Sequence, residues 1–263
     1  MGRAAMIVAI LLVTSTGSGA AMTGREVIDQ AQQRNGFSTW RDRSMTATME
    51  SYAGERLVRT REMDVQEQTD PRGEHRTFLV FVGPADVQGT RFLHLSPRGE
   101  PDQQWLWAPT TRRTRRLGDA QRDENFFGSD LSYRDLELLV RIQQWNDREA
   151  EARLIGEEAI EGKPAYVVEL VPRNTEFPYA KYRLWFDRSE LLLWRVDVYG
   201  DESSVLKRVT LDRYQRLGSY QTAGEAVVAN LRAGTRTVFR MRQVRYDVGL
   251  DPELFAVSSL DRG

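Results

Sequence analysis

The chain has 263 residues, of which 40% are hydrophobic, 29% charged and 10% aromatic, with 37 Lys+Arg against 38 Asp+Glu and a formal net charge of −1. This composition supports a packed core rather than disorder, and the near-neutral balance argues against nucleic acid as a partner. The absence of cysteine excludes disulfides, thiolate metal sites and the lipid-bearing cysteine of a bacterial lipoprotein.

The first twenty residues read as a secretory signal: a positive charge at Arg3, an apolar run from Ala4 to Val13, then small and polar residues to Ala21, with cleavage near 20/21. The run is too short to span a bilayer comfortably, and no later segment comes close to doing so. The expected product is residues 21–263 as one exported, soluble periplasmic domain. Thr23-Gly24-Arg25-Glu26 has the spacing of a capping box and predicts a helix from about Gly24 to Gln33, with Val27, Ile28 and Ala31 on one side.

From Ser44 the period is two. Met45, Ala47 and Met49 alternate with polar residues, and so does the stretch from Leu57 to Met63, with Tyr52 to Glu55 as the hairpin connection. Strands are predicted at 75–82, 90–96, 103–108 and 114–117, separated by Gly83-Pro84, Pro97-Arg98-Gly99 and Pro109. Ser132 and Asp135 ahead of Leu136, Leu138 and Leu139 predict a short helix near 133–142. Strands resume at 152–160, 164–171, 181–187, 191–199 and 206–214, and a last pair falls near 226–231 and 235–246.

This is a mainly β (α+β) chain: a single curved antiparallel sheet with a few helices over its concave side. Strand parity assigns to that side Met45, Met49, Met63, Phe78, Val80, Leu93, Leu95, Trp105, Trp107, Leu184, Phe186, Trp194, Val196 and Met241. Lys181, Arg183, Asp187, Arg195 and Asp197 fall on the opposite parity and are expected to face water. So little helix leaves the apolar face either to close on itself as a filled core or to hold an apolar ligand. The alternation is the same in both cases. The methionines favour a hollow interior, because flexible thioethers adapt to varied apolar ligands.

Nothing in the sequence points to catalysis. His75 and His94 stand at no metal-ligand or triad spacing, and the nucleophile elbow, phosphate loop, zinc helix and dinucleotide fingerprint are all missing. No catalytic residue, metal or cofactor is expected. One charge feature stands out, Arg112, Arg113, Arg115 and Arg116 directly after the aromatic strand. It either docks lipid headgroups or an acidic partner, or pairs with the acids between Asp119 and Glu124.

Four ordered motifs resemble the outer-membrane lipoprotein-sorting protein family, relatives of the periplasmic lipoprotein carrier: Gly89-Thr90-Arg91-Phe92-Leu93, Gln104-Trp105-Leu106-Trp107-Ala108-Pro109, Arg113-Thr114-Arg115-Arg116-Leu117, and the run from Phe126 through Gly128-Ser129-Asp130 to Leu136. The resemblance extends over roughly residues 40 to 217. It implies an unclosed β-barrel of about 11 antiparallel strands wrapped over helices, whose concavity receives acyl chains; release would then come from a partner that binds the chain more strongly or from an opening of the barrel, for which the 133–142 helix is the expected lid. It also implies a periplasmic lipid or lipoprotein carrier between the inner and outer membranes, loaded by an inner-membrane transporter of the resistance-nodulation-division type, with transient membrane contact. A non-transporting lipid-sensing or protein-binding envelope module and a scaffold subunit with a solid core are the competing readings.

Overall fold

The computed structural model describes residues 22–36, 39–142, 145–173 and 178–262; residues 1–20, expected to be a secretory signal, lie outside them. Alternating residues build one antiparallel sheet of thirteen strands in the order β6-β5-β4-β3-β2-β1-β15-β14-β11-β10-β9-β8-β7. In chain order these are β1 (Asp42–Ala53), β2 (Arg56–Thr69), β3 (His75–Gly83), β4 (Arg91–Ser96), β5 (Gln103–Ala108), β6 (Arg113–Arg116), β7 (Ala150–Ile160), β8 (Lys163–Pro172), β9 (Lys181–Asp187), β10 (Leu193–Tyr199), β11 (Val205–Asp212), β14 (Glu225–Asn230) and β15 (Thr235–Tyr246). A separate ribbon of β12 (Gln215–Leu217) and β13 (Tyr220–Thr222) stands outside it. The edge strands β6 and β7 do not pair, so the sheet is an unclosed half-barrel. It has two more strands than the eleven expected from the resemblance.

Register follows the hydrophobic pattern. Met45 lies opposite Val65, and Ala47 lies between Met63 on β2 and Met241 on β15. Two helices lie on the concave side. Helix α1 (Gly24–Asn35) starts with the expected capping box, Thr23 Oγ1 accepting from the Glu26 N–H at 3.2 Å and the Glu26 carboxylate accepting from the Thr23 N–H at 2.7 Å. A side chain at Gly24 would come within 2.6 Å of the Arg153 backbone, so glycine here lets the helix seat directly on β7. Helix α3 (Tyr133–Arg141) has its own capping box from Ser132 and Asp135, and a one-turn α2 (Asp119–Arg122) precedes it.

The convex side is where the sequence expectation fails. Phe78 and Leu93 are buried there beneath the 3-10 turns Pro252–Phe255 and Val257–Asp261, against Phe255 and Leu260, with Val80, Leu95, Trp105 and Trp107 packed around them. These six residues were expected inside and lie outside. The concave positions of β3 to β5 are Leu79, Phe81, Phe92 and Leu106. The C-terminal tail adds a second apolar layer, so both parities of these strands are apolar and alternation no longer marks the inner face. Burying Phe255 and Leu260 contributes roughly 1.5–3 kcal/mol each.

Two smaller corrections concern β9 and β10. Leu193 pairs with Phe186 while Arg195 pairs with Trp185. The extra residue is a bulge that leaves Leu193, not Trp194, in line with Val196 and Val198. Trp194 instead packs on Tyr214, with the Lys163 ammonium 4.1 Å from its ring centroid. Asp187 and Asp197, expected to face water, are buried. Asp187 accepts from the N–H groups of Ser189, Glu190 and Leu192, and Asp197 sits between Arg195 and Arg208. Salt bridges and backbone donors replace the water these carboxylates lose.

Candidate ligand cavity

Two adjoining cavities of ≈ 360 Å³ and ≈ 300 Å³ lie between the concave sheet and its helices, sharing Arg43, Met45, Ile142, Leu193, Leu211 and Met241 in their walls. The larger is walled by Met63 and Val65 of β2, Val196 and Val198 of β10, Phe239 of β15 and the α3 residues Leu136, Leu139 and Val140. The smaller runs toward α1, past Ile28 and Ala31, to Leu184, Phe186 and Leu191. Of the fourteen residues assigned by parity, Met45, Met63, Leu184, Phe186, Val196 and Met241 line these cavities. Met49 points the same way but is consumed in the packed cluster of Phe81, Phe92 and Phe126. The other seven face elsewhere. The interior is therefore partly filled and partly hollow: the aromatic cluster fills part of it beneath β3 to β5, while Leu79, Phe92 and Phe126 still border the larger cavity, which opens where methionine, leucine and valine meet α3.

The cavity wall also carries charged and polar groups, which apolar parity does not mark. The clue was available, since Arg43 and Glu67 occupy the same parity as Met45 and Val65 in otherwise apolar rows. Arg43 Nε donates to Glu67 Oε2 at 2.7 Å, and its guanidinium stands 5.0 Å from the Trp40 ring centroid. His75 Nε2 is 3.8 Å from Glu67 Oε1. Burial alone would raise the Glu67 carboxyl, but Arg43 and His75 outweigh it and hold it at about 2. Burial keeps His75 below its ordinary value.

Helix α3 is anchored at both ends. At its C-terminal end Arg141 donates from Nη2 to Asp102 Oδ1 at 2.8 Å, and Asp102 is also 3.0 Å from His94 Nε2 and accepts from Ser96 Oγ at 3.0 Å. At its N-terminal end Asp135 accepts from the Ser132 N–H at 2.7 Å, from Tyr179 Oη at 2.7 Å and from Lys207 Nζ at 2.5 Å. Among the described residues no group of three or more His, Cys, Asp or Glu is placed to hold a metal.

The basic cluster occupies the turn before β6 and this exposed edge strand. Its arginines do not pair with the nearby acids: Asp119 pairs with Arg122, and Asp123 with Arg134. Arg112, Arg113, Arg115 and Arg116 are all exposed, with Arg116 5.8 Å from the Trp105 ring centroid. No helix among the described residues is long and apolar enough to cross a membrane.

An open half-barrel with helices over a partly hollow apolar face defines a class of protein, and solved structures share it. An outer membrane lipoprotein-sorting protein domain from Vibrio parahaemolyticus superposes with a TM-score of 0.81 at 25% identity, covering 91% of this chain and 98% of that one. A DUF1329 family protein from Desulfovibrio piger gives 0.81 at 27% identity, covering 90% and 98%. A LolA superfamily protein from Nitrosomonas europaea shares the fold, with a TM-score of 0.66 at 16% identity over 90% and 98%. The chain belongs to a family whose model, described as that of an uncharacterized protein, matches residues 73–262. No curated protein matches it.

Proposed function

We propose that this chain is a periplasmic carrier that shelters the acyl chains of a lipid or lipoprotein during passage between the inner and outer membranes. The observation that carries the reading is the pair of adjoining, mainly apolar cavities, the larger under α3 and the smaller beside α1, each with a volume in the range of ligand sites. The names of the similar structures from Vibrio parahaemolyticus and Nitrosomonas europaea support it. In this reading residues 1–20 direct export and are removed, and residues 21–263 act as one unit.

The task needs no covalent chemistry. Each methylene moved from water into the cavity contributes roughly 0.8 kcal/mol, so the carrier must also have a way to let go. Helix α3 is the movable element: it roofs the larger cavity and is held by ion pairs, Asp135 with Lys207 and Arg141 with Asp102. Loading falls to a resistance-nodulation-division type transporter in the inner membrane. The unpaired arginines of β6 provide the contact with anionic headgroups.

Native mass spectrometry of gently purified protein tests the reading. Adducts of lipid mass that extract into organic solvent are expected. Adduct-free protein that also takes up no lipid from vesicles would favour the solid-core scaffold instead.

A further inference from the structure

Among the described residues five buried side-chain polar atoms have no hydrogen-bond partner, and Tyr182 Oη is the one that belongs to a residue lining the cavity. Tyr182 is 0% exposed. It lies on β9 with its ring 5.9 Å from that of Trp145 and 6.1 Å from that of Tyr179. A phenol sealed from water with nothing to donate to is costly, and buried hydroxyls ordinarily have a partner.

Asp135 is the nearby carboxylate; it accepts from the Ser132 N–H and Lys207 Nζ at Oδ2 and from Tyr179 Oη at Oδ1, and none of these bonds involves Tyr182. Lys207 and Asp135 both line the larger cavity, and together they carry no net charge. The lysine ammonium has three N–H groups, of which the bond to Asp135 uses one. Tyr182 thus brings an unused hydroxyl donor to the cavity wall and Lys207 spare donors, beside apolar walls of Val196, Val198 and Leu136. That combination matches a neutral oxygen acceptor attached to a hydrocarbon chain. A carboxylate or phosphate would bring a full charge to a site whose own charges already cancel.

We propose that Tyr182, with Lys207 beside it, is a recognition site for the ester or amide carbonyl of an acylated ligand, fixing which end of the acyl chain lies under the start of α3. The inference rests on the carrier reading and narrows its ligand to acyl esters and amides over plain hydrocarbon. When the ligand binds, the Tyr182 hydroxyl donates to the carbonyl oxygen, and no bond is made or broken.

The test uses delipidated full mature protein and the fluorescent hydrocarbon diphenylhexatriene, displaced either by methyl palmitate or by hexadecane. Methyl palmitate should compete more strongly than hexadecane. In Tyr182→Phe its advantage should shrink by about fivefold to tenfold, the equivalent of one hydrogen bond, while hexadecane competes as before. The lipid-free variant should melt no lower than the wild type, since the change removes an unsatisfied group. Equal competition by the two ligands in the wild type, an unchanged preference in Tyr182→Phe, or a lower melting temperature of the lipid-free variant would each overturn the site while leaving the carrier reading standing. Failure of all three probes to bind the wild type would overturn both.

Discussion

The strands β7 to β11 and the strands β3 to β6 form the two wings of one sheet, but different things lie behind them. Behind β8 to β11 the convex side combines ion pairs, with Asp197 between Arg195 and Arg208 and Glu169 between Lys181 and Arg183, with a small apolar cluster of Ala165, Val167 and Trp185. Behind β3 to β5 it is a second hydrophobic layer, closed by Phe255 and Leu260 of the C-terminal tail. The first half keeps an unambiguous inner face and contributes Leu184, Phe186 and Val196 to the cavity walls. The second half spends its inner face on the aromatic cluster of Phe81, Phe92, Phe126 and Tyr133. The first half lines both cavities, whereas the second reaches only the larger one, through Thr77, Leu79, Phe92 and His94.

Substitutions that separate stability from binding would break or sharpen this contrast. The largest expected effect is Leu93→Ala, at a fully buried convex position. It should cost about 3–4 kcal/mol of unfolding free energy in denaturant titration and leave lipid affinity unchanged in the molecules that remain folded. A matching loss of affinity would place this layer in the binding site.

Glu67→Gln comes next, because it leaves the Arg43 guanidinium in the wall without its counter-charge, at a cost of about 3 kcal/mol. It should also change the acid limb of stability. The Glu67 carboxyl sits at about 2 in the folded chain against 4.5 for an ordinary glutamate. Its contribution is therefore complete above the ordinary value and is lost as pH falls from there toward about 2. His75, lowered by burial, acts in the same direction, losing its contribution as pH falls below its ordinary range. Thermal melts across this pH range should show a shallower acid decline in Glu67→Gln than in wild type; parallel curves would exclude Glu67 as the sensitive group.

The smallest stability effect belongs to the hollow side. Met241→Ala removes a half-buried wall residue common to both cavities and should cost only about 1 kcal/mol. It should weaken acyl-chain binding about threefold to tenfold by removing apolar contact. A stability loss as large as that of Leu93→Ala would mean that the methionine wall is filled core.

Local rules were enough for much of the molecule. The capping boxes at Thr23 and Ser132 set the starts of both covering helices, and alternation identified all thirteen sheet strands and most of their bounds, because caps and pleat periodicity are short-range properties. They were also enough for the cavity residues of β1, β2, β9 and β15, whose opposite parity is polar. Tertiary structure decided the rest. The tail from Leu250 to Leu260 covers a face 150 residues away in sequence from its partners near Trp105, and this distant cover inverted the apparent inner face of β3 to β5. A single-residue bulge at Trp194 did the same to one position of β10. The charged wall of Arg43, Glu67, Asp135 and Lys207, with the unpartnered Tyr182 hydroxyl, arises only when β1, β2, β9, β11 and α3 converge. Whether a buried polar group finds a partner depends on which strands meet, and the order of strands is a long-range property of the folded sheet.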